Sequence, residues 1–165
     1  MPIIDSILME LDQESQTTQR VLERVPEDKF SWKPHPKSYS LGQLAMHIAV
    51  APGTVAGAAG KDTHEIGGGP PPEPKSRKEL MDAFSTNLAS AKDALKKLND
   101  ERLMSTWNGT VNGKVVLSVP RIGLVRAILL NHWYHHRGQL SVYLRLLDVP
   151  VPSIYGPSAD ENPFV

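Results

Sequence analysis

The sequence predicts an all-α domain, a four-helix bundle with a short β-hairpin before its last helix, and three observations carry that reading. Four segments repeat apolar residues at helical spacing, two of them open on capping boxes, and a stretch with two Asn-Gly pairs among β-branched residues separates the third from the fourth. A chain of 165 residues, 40% of them hydrophobic, is expected to form a single domain spanning 1–165 around one core.

The first helix is expected from Pro2 to about Val25, through Ile4, Ile7, Leu8, Leu11, Val21, Leu22 and Val25. Its middle, Asp12 to Arg20, places Ser15 and Thr18 where the apolar stripe should continue, as expected beside a polar cavity. Pro26, Pro34 and Pro36 make the next segment an extended loop. Ser40 and Gln43 then form a capping box that opens the second helix, which Pro52 and Gly53 should kink or break little more than a turn after His47. A flexible stretch from Lys61 to Gly69 leads into a Gly- and Pro-rich loop.

Ser76 and Glu79 make a second capping box, and the third helix is expected from about Arg77 to Leu98 through Leu80, Phe84, Leu88, Ala91, Leu95 and Leu98. The hairpin falls between Leu103 and Leu117. Pro120 suits the start of the last helix, which should run to about Leu147 with Leu124, Ile128, His132, His136, Leu140 and Tyr143 along one face. The final segment, with four prolines and no helical period, is expected to lie on the body as an extended tail.

Eighteen basic against eighteen acidic side chains leave no net charge, so neither nucleic acid nor a membrane surface is an expected partner. The first dozen residues carry acids and no basic leader, and the apolar runs are short for a membrane span, so the cytoplasm is the expected location. With no cysteine, a metal would have to use nitrogen and oxygen ligands.

Six histidines are present. On a helix, residues four apart project about 40° from one another, so His132 and His136 can aim their rings at one point, while His135 turns elsewhere. Trp133 stands where a zincin would need its glutamate, so a metalloprotease is not supported. His47, beside Leu44, Ile48 and Ala51, is the third candidate; alone it reads as a core histidine, but three buried neutral imidazoles are costly without partners and a divalent ion satisfies all three lone pairs. His35 and His64 read as loop residues.

Two stretches carry a family likeness. PEDKFSWKPHPKSYSLGQLAMHIA resembles the first loop and second helix of the DinB family, and NHWYHHRGQLSVYLRLLDV resembles its fourth helix, with the His-x-x-x-His-Arg-Gly-Gln-Leu core intact from His132 to Leu140. The tail is similar as well. The resemblance implies an up-down-down-up bundle, one divalent metal held by His47, His132 and His136, and bundles that often pair as homodimers. Trp133 departs from the acidic residue frequent at that position. The superfamily includes thiol-dependent S-transferases and isomerases that use low-molecular-weight thiols.

Three neutral imidazoles leave zinc or nickel, or else iron or manganese, with an open position that can activate a thiol or a water. The expected function is therefore thiol-dependent S-transfer in detoxification or stress response; the alternatives are a metal-dependent hydrolase and a non-catalytic metal- or ligand-binding protein. A small-molecule substrate is expected, with Arg137 and Tyr143, and similarly Tyr155, as candidates to contact it. Their bland readings are a salt bridge and packing.

Overall fold

The computed structural model describes residues 1–164 as a mostly helical body carrying a small three-stranded sheet. Its helices are α1 (Ile3–Leu22), α2 (Leu41–Ala59), α3 (Arg77–Leu95), the short α4 (Asp100–Met104), and a final continuous helix. That last helix has three parts: α5 (Arg121–Leu124), a π-helical stretch Val125–Asn131, and α6 (His132–Leu146). Helix α1 packs against α3 and α6, and α2 packs against α3, α6 and the π stretch. Every long helix contributes to one cluster of buried apolar side chains, from Ile7 and Leu11 through Leu44 and Ile48 to Leu80, Phe84, Trp133 and Leu144.

Local chemistry explains most boundaries. The Ser40 hydroxyl accepts the Gln43 N–H and the Gln43 side chain accepts the Ser40 N–H, so the expected capping box forms in full. At α3 only half of it forms: Ser76 accepts from the Glu79 N–H, while Glu79 reaches back to the Lys75 N–H. The last helix ends in a Schellman motif, with Asp148 at φ 56°, the Val149 N–H on the Leu144 carbonyl, and Pro150 following.

Four expectations need correction. Helix α2 does not break at Pro52 but continues to Ala59. Proline removes the N–H that would reach the Ile48 carbonyl four residues back, and the indole N–H of Trp133 donates to that carbonyl at 2.9 Å instead. Gly53 then lets α3 come close: a Cβ there would sit 2.5 Å from Asn87 Oδ1.

The hairpin is part of a larger sheet. Strands β2 (Thr106–Val111) and β3 (Lys114–Pro120) pair antiparallel through an Asn112-Gly113 turn in which both residues have positive φ. The stretch expected to be flexible supplies β1 (Thr63–Glu65), parallel to β2. A three-residue strand leaves no alternation to read in sequence.

Helix α3 stops at Leu95, and α4 follows, its N-cap Asn99 accepting from the Arg102 N–H.

The buried stripe of the last helix also differs from the expected one. The π turn spaces inward positions five apart rather than four, so Leu124 is followed inward by Leu129, then Trp133, Arg137, Leu140 and Leu144, while Ile128 is 40% exposed. His132 and His136 therefore flank the stripe instead of lying on it.

No helix among the described residues is long and apolar enough to cross a membrane.

Candidate metal centre

His47 projects from α2 and His132 and His136 from consecutive turns of α6, and the three half-buried rings converge. Ring centroids lie 5.1 Å apart for His47 and His132, 4.6 Å for His47 and His136, and 4.3 Å for His132 and His136. One nitrogen from each falls within 4.8 Å of the other two, close enough that modest side-chain adjustment brings all three to the roughly 2.0–2.1 Å bond length of a zinc–imidazole site.

The hydrogen-bond inventory tests the fit. His47 Nε2 and His132 Nδ1 are buried with no partner among the described residues, a condition that costs a buried polar group on the order of 1–3 kcal/mol. His136 Nε2 faces His132 Nε2 at 2.9 Å. A divalent cation could take one nitrogen from each ring, the unpartnered His47 Nε2 among them, so the residues present fit a metal. On the outer side, His136 Nδ1 lies 2.7 Å from Gln139 Oε1; a carbonyl oxygen can only accept, so Nδ1 carries the proton and Nε2 is free to ligate.

The electrostatics agree. Burial, helped by the neighbouring His136 and His132 rings, pushes His47 down to about 4. His132 is lowered by burial and then by His136 and His135; His136 is lowered by burial against the opposing hydrogen bond to Gln139. All three are held neutral, the form that binds a metal. The group contains no carboxylate.

His135 is exposed beside His136, with ring centroids 5.1 Å apart. Tyr39, which the sequence did not single out, packs edge-on to His47 at 6.1 Å. Tyr143 donates its hydroxyl to the Tyr39 carbonyl at 3.3 Å and packs edge-on to Trp32. His35 lies in the exposed loop before α2, and His64 lies on β1.

Arg137 points away from the triad into the core, 1% exposed. Its guanidinium pairs with the Glu14 carboxylate at 2.6 Å and donates to the Glu14 carbonyl, the Thr18 hydroxyl and the Tyr155 hydroxyl. Tyr134 and Tyr155 place their rings 5.3 and 5.0 Å from it. The polar middle of α1 is thus the lining of a filled ion-pair site.

A mostly helical protein whose two facing helices bring three neutral imidazoles together, with neither thiolate nor carboxylate among them, defines a histidine-only candidate metal site on a helical scaffold. The DinB superfamily model matches residues 10–140, and the chain belongs to that superfamily. It is 26% identical over 159 residues to the uncharacterized protein YrdA of Bacillus subtilis, covering 96% of this chain and 91% of that one. Among solved structures it resembles a DinB-like protein from Bacillus cereus, at TM-score 0.74 and 24% identity over 93% of this chain and 98% of the other. It also resembles the DinB-like protein YjoA of Bacillus subtilis, at TM-score 0.67 and 21% identity over 88% and 95%.

Proposed function

We propose that this chain is a metal-dependent S-transferase, joining a low-molecular-weight thiol to an electrophilic small molecule, with one divalent ion held by His47, His132 and His136. Zinc or nickel suits three imidazoles best, with iron and manganese as the other candidates. The observation that carries the reading is the buried His47 Nε2, without a partner among the described residues, in a cluster where the Nε2 atoms of His132 and His136 face each other.

A divalent ion held by these three neutral ligands would supply a Lewis acid able to lower the pKa of a bound thiol. In the transfer the thiol gives up its proton to solvent, its sulfur forms the new carbon–sulfur bond, and the leaving group departs with the bonding pair. The protein's share is positional. Gln139 holds His136 in one tautomer, and burial keeps His47 from taking the released proton.

The lack of a carboxylate in the group favours thiol transfer over hydrolysis, because attack by water gains from a general base whereas a thiolate needs none. Tyr143 is the stronger candidate for the substrate side, since Tyr39 links it to His47. Arg137 would bind a substrate carboxylate only by exchanging it for Glu14. A cytoplasmic location, an up-down-down-up bundle and a homodimer complete the proposal.

Protein purified without an affinity tag is expected to carry one divalent ion per chain by elemental analysis, and His47→Ala, His132→Ala and His136→Ala to lose it. Equal metal in the wild type and all three variants would sink the site. Conjugation of a model electrophile only when a thiol is supplied supports transfer; ester turnover with no thiol supports hydrolysis instead.

A further inference from the structure

The hydrogen bond that lets α2 pass through Pro52 also lies within one residue of two candidate ligands. Its acceptor, Ile48, follows His47, and its donor, Trp133, follows His132. Both partners are almost wholly buried, at 0% and 1% exposure, so neither can exchange the bond for water. An ordinary residue at position 52 would supply its own N–H to the Ile48 carbonyl, and the indole would have to share that acceptor. Proline frees the carbonyl, and the freed carbonyl ties α2 to α6 at the level of the histidines.

We propose that Pro52 and Trp133 form an inter-helix lock that sets the register of His47 against His132 and His136, with Trp133 a positioning residue for the metal centre. The role for metal rests on the function proposed above; the lock itself does not. Rotation or sliding of one helix would part rings now 5.1 and 4.6 Å apart. Metal ligation tolerates little of that, and the loss of groups that orient ligands typically weakens metal affinity roughly 10–100-fold. Phe84, stacked on Trp133 with centroids 6.4 Å apart, holds the indole from the α3 side.

The test is a cycle of Trp133→Phe, Pro52→Ala and the double variant. Trp133→Phe removes the donor and leaves the Ile48 carbonyl unpaired. Adding Pro52→Ala returns a backbone N–H to that carbonyl but not the link between helices, and the space left by the indole is the same in both proteins. Two readings are taken: cobalt(II) affinity from its visible absorption, and, in metal-free protein, the nuclear Overhauser effect between the His47 and His132 rings.

The expected result is a roughly tenfold or greater loss of cobalt affinity in Trp133→Phe. The double variant should regain thermal stability while affinity and the ring–ring effect stay low. Recovery of affinity along with stability in the double variant would overturn the lock, leaving the bond a mere partner for the carbonyl. So would wild-type affinity and an unchanged ring–ring effect in Trp133→Phe. If the wild type takes up no cobalt through its histidines, the metal assignment fails, and the ring–ring effect still decides the lock.

Discussion

Two polar clusters grow from neighbouring residues of α6, and they are built in opposite ways. His136, with His132, faces His47 on α2; Arg137 faces Glu14 and Thr18 on α1. Around Arg137 both terminal guanidinium nitrogens have acceptors, two tyrosine rings flank the charge, and Oε2 of the Glu14 carboxylate takes both the guanidinium and the Tyr155 hydroxyl. Around the histidines two buried nitrogens have no partner among the described residues and two others face each other. A cluster that satisfies itself serves the fold, whereas one that leaves lone pairs bare is prepared for something outside the chain.

The largest effect should come from breaking the satisfied cluster. Glu14→Ala leaves a guanidinium buried without its counter-charge, an imbalance that typically costs about 3–5 kcal/mol. With about 2–4 °C per kcal/mol for a chain of this size, thermal unfolding should show a fall of roughly 10 °C, with metal content unchanged. A fall in metal binding without a loss of stability would reverse the roles assigned to the two clusters.

Breaking the unsatisfied cluster should do the opposite. In metal-free protein His132→Leu is expected to cost little stability, because it deletes a bare buried Nδ1 along with only the single contact between the two Nε2 atoms. Denaturant unfolding of chelated protein reads this directly. A destabilisation above about 2 kcal/mol would mean that the imidazole has a structural partner.

Acidity should separate the clusters next. The unfolded chain binds protons on its imidazoles near pH 6.5, whereas the folded chain holds His47 unprotonated down to about 4 and lowers His132 and His136 as well. The unfolded state therefore carries more protons in this window. The stability from the neutral imidazoles is fully present above the ordinary histidine range and is lost as pH falls from about 6.5 toward 4. Melting of metal-free protein between pH 7.5 and 5 should show that decline, and His47→Gln should make it shallower. An equal slope in the variant would remove His47 as a cause.

The smallest effect belongs to His135, exposed next to His136. His135→Ala should keep the metal and change stability by no more than about 0.5 kcal/mol. A loss of metal by this variant would bring His135 into the ligand set.

Periodicity, capping and turn chemistry within a few residues made the four helical segments, the Ser40 cap, the Asn112-Gly113 turn and the His132/His136 pair legible, while His47 joined that pair only through the family resemblance. The polar break in α1 was equally visible, although its partner was not. Tertiary structure alone decided the rest. That helix α2 survives Pro52 depends on an indole 85 positions along the chain from the Ile48 carbonyl it donates to. That Thr63–Glu65 is a strand depends on pairing with β2. Arg137 is buried because Glu14 lies opposite it, and Ile128 turns outward because a π turn shifts the face of the helix. In each case the deciding group is a hydrogen-bond or charge partner distant in sequence, or a change of helical pitch, and a spacing rule that assumes one regular helix carries no information about either.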